Sequence, residues 1–491
     1  MTIRTRFAPS PTGYLHIGSL RTVLFNYLFT KKNNGQFLLR IEDTDRTRLV
    51  EGSEENLISI LEQTGLIYDE GPNKDGGHGP YRQSERLDIY KKYIDELLEK
   101  DKAYHCFCSS ERLDELRAEQ QELGLPTKYD KKCRYLSPEE IQEKLDAKTP
   151  HTIRLKVPDN EEIVFEDQVR GKISINSKEV DDQVLIKTDG FPTYHFAVVV
   201  DDHLMGITDI IRGDEWIPST PKHIILFDAF GWEKPNFSHV PPLVGADKKK
   251  LSKRTGDVAV EKYLEKGYLL EALMNFLALL GWNPKSTEEF FTMDELIERF
   301  ELKNVQKAGA FFDVERLDFF NSHYLRTGNV DELWEKAKTF FKTYDKEFFK
   351  KISKFDDAYN KKIFAELRGR IRYFAEYKDF VGFFYEDAKI PSEELLVNQK
   401  MKITDLEVVK KGLNLTLDIL NSRDGEFESI DEIKNIFIEK IKEAEMKNGQ
   451  VLWPVRCALS GEQFSPGALE LLFIFGLEES KKRIERVLES V

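Results

Sequence analysis

Ile3-Arg-Thr-Arg-Phe-Ala-Pro-Ser-Pro-Thr-Gly-Tyr-Leu-His-Ile-Gly-Ser19 reads as a strand that turns into a helix. Residues 2–8 alternate, Ile3, Thr5 and Phe7 against Arg4 and Arg6, as a strand does. After the turn Pro9–Leu15, the apolar residues Leu20, Val23, Leu24, Tyr27 and Leu28 recur at helical spacing. Asn33-Asn-Gly35 ends that helix, with glycine where left-handed backbone is common. Gln36–Ile41 is a second apolar strand. Strand, helix and strand in this order predict an α/β, doubly wound parallel sheet that receives ligands at the C-terminal ends of its strands. His16 and Gly18 stand at the strand-to-helix junction, a place suited to a nucleotide phosphate. The chain has neither a P-loop nor a G-x-G-x-x-G turn, so its phosphates must be handled differently.

A second stretch, Lys248-Lys-Lys-Leu-Ser-Lys-Arg254, is a cationic loop with a serine. Each stretch alone is ordinary, since lysine runs are usually solvated surface and glycine-containing turns are usually only turns. Together they can hold ATP from two sides. In their joint occurrence the chain resembles the class I aminoacyl-tRNA synthetases with their "HIGH" and "KMSKS" motifs. The words Arg40-Ile-Glu-Asp-Thr-Asp45, Gly79-Pro-Tyr-Arg-Gln-Ser-Glu-Arg86, Tyr194-His-Phe-Ala197, Val200-Asp-Asp202 and Ile211-Arg-Gly213 narrow it to the bacterial-type glutamyl-tRNA synthetase family. The resemblance is dense over residues 1–325 and continuous to the end.

The resemblance implies ATP-dependent activation of L-glutamate to an adenylate, then transfer to the 3′ end of tRNA for Glu. Whether tRNA for Gln is also charged stays open. ATP would be met by Ser10, Thr12, His16, Gly18, Leu251, Ser252 and Lys253, with Mg²⁺ arriving on the nucleotide. His16, Lys250 and Lys253 would carry the catalysis, because activation builds negative charge on the α-phosphate and needs positioned cations. The last "HIGH" position is Ser19, which replaces an imidazole donor by a hydroxyl. Lys248 and Lys249 read as solvated neighbours or RNA contacts. Glutamate would lie among Arg6, Ala8, Ser10, Glu42, Tyr194 and Arg212. Glu42 would hold the α-ammonium and the two arginines the two ends of the acidic substrate. Some relatives carry Asn where this chain has Val198, so that amide is missing or replaced by His195. Without the surrounding motif, Arg212 would read as a surface partner of Asp214 or Glu215. Asp201 and Asp202 read as structural or RNA-positioning groups.

Cys106-Phe-Cys108 and, after 24 residues, Cys133-Arg-Tyr135 form a second constellation. Cys-x-Cys can clamp one side of Zn²⁺ and Cys133 can close from the other. In related synthetases histidine often stands where Tyr135 stands, which makes Tyr135 the expected fourth ligand. Water, His105 or another side chain are alternatives, and the competing reading is a set of reduced structural thiols. Cys457 reads as a core thiol.

Residues 1–101 and 191–244 read as two halves of a Rossmann-like catalytic domain. Residues 102–190 read as an inserted α+β domain that grips the acceptor end, with strand-like stretches at His151–Val157 and Glu162–Ile175 and a helix near Ser110–Gly124. Val184–Lys187, Phe196–Val200 and Ile207–Ile211 are strand candidates. Residues 245–325 carry the cationic loop and a stem-contact domain. Residues 326–491, rich in Lys, Glu, Leu and Phe, read as all-α and anticodon-binding, with Arg368 and Arg370 as candidate readers. Glutaminyl-tRNA synthetases end in β-barrels, which this helical composition does not fit. A non-catalytic RNA-binding or regulatory protein on the same scaffold is a third reading, which the intact His16, Lys253, Glu42 and Arg212 oppose.

A net charge of −14 over 491 residues argues against a generic polyanion binder but leaves room for local basic patches on RNA. The chain has no long apolar run and no signal-like N-terminus, and its four cysteines are too few for a disulfide scaffold. A cytoplasmic monomer with no membrane contact is therefore expected, the monomer from the family resemblance.

Overall fold

The opening pattern becomes β1 (Arg4–Phe7), helix α1 (Ile17–Lys32) and β2 (Gln36–Leu39) in a computed structural model that describes residues 2–251, 258–387 and 389–491. The strands pair in parallel, from Arg4 opposite Gln36 to Phe7 opposite Leu39. Leu20, Val23, Leu24 and Leu28 on α1 are fully buried, so the helical spacing is what closes the crossover over the sheet. The turn after α1 departs from expectation in one detail. The left-handed residue is Asn34, at φ 51°. Gly35 serves a different need: a Cβ there would lie 2.4 Å from the Ile3 carbonyl oxygen, which accepts the Gln36 N–H at 2.8 Å.

The middle of the chain adds β3 (Ala103–Cys106), β4 (Thr152–Leu155), β5 (Glu162–Asp167), β6 (Gly171–Asn176) and β7 (Val184–Ile186), then β8 (Asp209–Gly213) and β9 (Asn236–Val240). β3, β4 and β7 form a three-stranded antiparallel sheet. β5 and β6 form a hairpin, as the stretch 162–175 suggests, but the hairpin does not stay within the insertion. β5 also runs parallel to β9, with Asp167 opposite Phe237, and β9 runs parallel to β8. The order β6–β5–β9–β8 therefore joins inserted and catalytic strands. β8 enters beside β1, where Thr208 N–H donates to the Arg4 carbonyl at 3.0 Å.

Phe196–Val200 is not a strand. It lies inside the helix Tyr194–Leu204, with Phe196, Ala197, Val198, Val199 and Val200 all buried. A helix buried on every side shows no apolar stripe, so its apolar run reads like a buried strand. Two short strands, β10 (Leu243–Val244) and β11 (Ala310–Phe311), pair in parallel.

The chain divides into two compact units. One comprises Met1–Lys262 with Leu270–Val314, the other Tyr263–Leu269 with Glu315–Val491. The second unit is helical: Val330–Tyr344, Asp357–Leu367, Leu406–Asn421, Ile430–Glu443, Asn448–Ser460 and Ala468–Leu488 are its long helices. It takes in residues 315–325, which the sequence places with the stem-contact stretch. Cys457 is buried there, as a core thiol would be.

Candidate active site

His16 is the N-cap of α1, in extended backbone, and its Nδ1 accepts the Gly18 N–H at 2.9 Å. Because Nδ1 is an acceptor, a neutral ring carries its proton on Nε2. A Cβ on Gly18 would meet His16 Nδ1 at 3.2 Å, so the glycine gives the ring its room. The turn before it holds Ser10 and Thr12, both exposed. It is tied down by Thr12 N–H to the Ser10 carbonyl (2.8 Å) and by Glu42 N–H to the Pro9 carbonyl (2.9 Å). Ala8 follows directly on the C-terminal end of β1.

The chain that carries the cationic stretch is fixed to β10 before it and to this turn after it. Leu251 N–H donates to the Leu243 carbonyl at 2.9 Å, fixing the end of Lys248–Leu251 to β10. Beyond the stretch, Ile17 N–H donates to the Val258 carbonyl (2.7 Å) and Val260 N–H to the Leu15 carbonyl (3.0 Å). Ser252 and Lys253 lie outside the described residues. Lys250 is exposed and reaches Glu215 at 3.0 Å.

Behind the nucleotide turn lies a buried charge network. Arg6 Nε donates to Asp202 at 3.1 Å, and Arg40 donates to Asp202 at 2.8 Å and to Glu42 at 3.2 Å. Asp201 accepts from Arg86 (2.7 Å), Gln83 (2.9 Å) and Tyr90 (2.8 Å). Asp201 and Asp202 are thus structural anchors, at 0% and 2% exposure, and not surface groups for RNA. Burial alone would raise the Asp202 carboxyl, but Arg6 and Arg40 outweigh it and hold it below its usual range. Glu42 goes the other way. Burial lifts it to about 7 against the pull of Arg40 and Arg6.

Arg212 lies one residue before the C-terminal end of β8 and is 5% exposed. Its Nε donates to His239 Nε2 (3.1 Å), one terminal nitrogen meets His223 Nδ1 (3.2 Å), and the other donates to Thr220 Oγ1 (2.9 Å). None of these partners carries a negative charge. Among the described residues no carboxylate forms an ion pair with Arg212: Asp214 pairs with Arg170 at 2.8 Å and Glu215 with Lys250. Burial lowers the Arg212 guanidinium, pushes His195 down to about 4, and takes His223 well below its ordinary value. Both histidines therefore stay neutral. Tyr194 packs against Trp216, ring centres 4.5 Å apart and planes tilted by 35°, and burial pushes its phenol up to about 12. Val198 is a core residue, and His195 meets His223 at 3.0 Å. A buried guanidinium has five N–H donors, and here three are spent on neutral acceptors. Such a cation is costly to bury unless an anion completes it, and an anionic group brought to Arg212 would supply that partner.

The thiols of Cys106, Cys108 and Cys133 lie within 4.8 Å of one another. Tyr135 does not join them: it is 76% exposed. The phenol at the cluster belongs to Tyr129, whose oxygen is 3.4 Å from the sulfurs of Cys106 and Cys108 and accepts the Cys133 N–H at 2.9 Å. Left-handed backbone at Lys131, φ 59°, reverses the chain between Tyr129 and Cys133. His105 points away, against His151 and Phe107. The hydrogen bond from Cys133 draws the Cys106 thiol down to about 4 and raises Cys133 in turn. Three clustered sulfurs are ligands of the kind Zn²⁺ takes, and the Tyr129 phenol is in contact with two of them.

In the helical unit, Arg368 donates to the Leu325 carbonyl (3.1 Å), Arg370 pairs with Glu470 (2.8 Å) and Arg372 with Asp318 (2.9 Å).

The comparisons with known proteins cover the whole chain. The family described as "tRNA synthetases class I (E and Q), catalytic domain" matches residues 2–319, and "Anticodon binding domain" matches residues 332–488. A glutamate–tRNA ligase of Clostridium tetani is 46% identical over 490 residues, covering 100% of this chain and 98% of that one. One of Chloroherpeton thalassium is 46% identical with the same coverage. The crystal structure of a glutamate tRNA ligase from Elizabethkingia meningosepticum, in complex with its amino acid, superimposes with a TM-score of 0.89 at 37% identity over 100% of both chains.

Proposed function

Since this chain belongs to the class I tRNA synthetases of the glutamate and glutamine family, we propose that the receptor around Arg212 takes L-glutamate. The activity is that of a glutamate–tRNA ligase using ATP. An α-carboxylate oxygen of glutamate attacks the α-phosphate of ATP and pyrophosphate leaves. A hydroxyl of the terminal tRNA ribose then attacks the acyl carbon and AMP leaves. The observation that carries the choice of substrate is Arg212, buried and surrounded by neutral acceptors. Glutamate offers a second carboxylate to it, and glutamine does not. Glu42 supports the other end, where a carboxylate meets the α-ammonium. No base is needed, because the attacking carboxylate is already ionised. His16 and the lysines of 248–253 would steady the phosphates, with Mg²⁺ held mainly by phosphate and water. Pyrophosphate exchange with glutamate, ATP and tRNA tests this. Absence of glutamate-dependent exchange, or equal exchange with glutamine, would refute it.

Glu42 makes the reaction pH-dependent. Its carboxyl, raised to about 7, is neutral below that pH and cannot pair with the ammonium. Efficiency with glutamate, as kcat/KM, should fall about tenfold per pH unit on the acid side of 7 and level off above it. Glu42→Gln should lower the plateau and abolish the slope. An acid limb in Glu42→Gln at the same pH would assign the titration to another group.

Zinc is the further cofactor we propose, held by Cys106, Cys108 and Cys133 with Tyr129 as the fourth donor. A closed set of four ligands leaves no position for substrate, so the ion would fold the insertion and do no chemistry. Protein purified without chelator should contain about one zinc per chain. Tyr129→Phe should lose it readily to a chelator, while Tyr135→Phe should behave as wild type. Absence of metal, or zinc retained after Cys133→Ser, would defeat the proposal. Charging of tRNA for Glu follows from the family. We propose that the helical unit reads the anticodon and that the protein acts as a monomer. Among the described residues no helix is long and apolar enough to cross a membrane.

A further inference from the structure

Asp167 ends β5, in the inserted segment, and is 1% exposed. One of its oxygens accepts the Val169 and Arg170 N–H groups (3.0 and 2.7 Å). The other accepts the His239 N–H at 3.1 Å and faces His239 Nδ1 at 2.6 Å. Arg212 Nε already donates to His239 Nε2, so Nε2 is the acceptor and the proton sits on Nδ1, directed at Asp167. Burial and the hydrogen bonds oppose each other here: burial, helped by Arg212, holds the His239 ring below its ordinary value against the pull of Asp167, while the bonds from His239 and the Arg170 N–H hold the Asp167 carboxyl below its usual range against burial. The ring turns a carboxylate in the insertion into a fixed neutral acceptor for the receptor arginine. It does so without bringing the negative charge into contact with the guanidinium. Were Asp167 to touch Arg212 directly, the receptor would already hold its anion.

We propose that Asp167 and His239 are positioning residues for glutamate recognition, a relay that fixes the orientation of Arg212 while leaving its charge for the substrate carboxylate. The proposal rests on the glutamate-activating function above. It also gives the inserted segment a direct hold on amino-acid choice, through the strand pair Asp167–Phe237.

The test uses the full-length protein and steady-state pyrophosphate exchange with tRNA present. Asp167→Asn puts an N–H among donors that all need an acceptor. His239→Asn keeps a donor near Asp167 and removes the acceptor facing Arg212. Each should raise the KM for glutamate about 10- to 100-fold, the cost of a misaligned binding group. Each should also narrow the preference for glutamate over glutamine, with the KM for ATP within about twofold of wild type. In an Arg212→Gln background either change should add less than about twofold, because the relay has nothing left to orient. Equal losses for ATP and glutamate, or additive losses in that background, would reduce the pair to a structural role and overturn the proposal. If one variant fails to fold by its thermal midpoint, the other carries the test. Wild-type protein without glutamate-dependent exchange would instead refute the function itself.

Discussion

Arg212→Gln is expected to lower kcat/KM for glutamate by about 10²–10⁴-fold while leaving ATP affinity nearly unchanged. The magnitude follows from leaving a buried carboxylate without its cation, about 3–5 kcal/mol at 1.36 kcal/mol per decade. Glutamate and glutamine are nearly the same size, so shape cannot separate them, but charge can. Glutamine would leave the Arg212 guanidinium uncompensated in a pocket of neutral acceptors and turn an amide donor towards other donors. A site built for one polar partner discriminates by about 10⁴ or more. The mutant should lose most of that margin through glutamate, because its amide accepts either substrate. Arg6 is the weaker candidate for this role, because Asp202 already pairs with it at 3.1 Å. Measuring kcat/KM for both amino acids decides it. Wild-type efficiency with glutamate would place the side-chain carboxylate elsewhere.

Lys253→Ala is expected to slow adenylate formation by about 10²–10³-fold, with tRNA affinity barely altered. Removing a contact made mainly in the transition state costs about 3–4 kcal/mol. Lys253 lies outside the described residues, but the chain is anchored before it at Leu251 to β10 and after it at Val258 to Ile17, beside the nucleotide turn. Lys250, in contrast, already has Glu215 within 3.0 Å, so Lys250→Ala should cost less. Single-turnover rates with saturating tRNA distinguish the two lysines. An unchanged rate in Lys253→Ala would remove it from the mechanism.

Much of this architecture is legible in the chain because the periods are clean. The change from period two to helical spacing across Pro9–Leu15 places β1 and α1, and short motifs mark Arg6, His16, Glu42 and Arg212. What is not legible is support that arrives from far along the sequence. Arg40 is held by Asp202, and Arg212 by His239 and His223. No local pattern announces these partners. β9 is hard to see because its buried face carries His239 beside Phe237, so polarity and burial do not track each other. Tyr135 is the more tempting fourth ligand by spacing. The 3-10 turn Lys132–Tyr135 carries it into solvent, while the left-handed Lys131 brings Tyr129 back to the sulfurs.

The strand that the insertion lends to the catalytic sheet bears on how such a protein can be cut and rebuilt. Residues 102–190 look like a cassette that a designer, or a genome, could drop out between two halves of a nucleotide-binding domain. Removing them would strip β5 from β9 and leave a bare sheet margin, where Gln168 now donates to the Phe237 carbonyl at 2.9 Å. Bare margins of buried strands are templates for self-association. A shortened version would therefore need a replacement strand or a charged cap at that border before it could stay in solution.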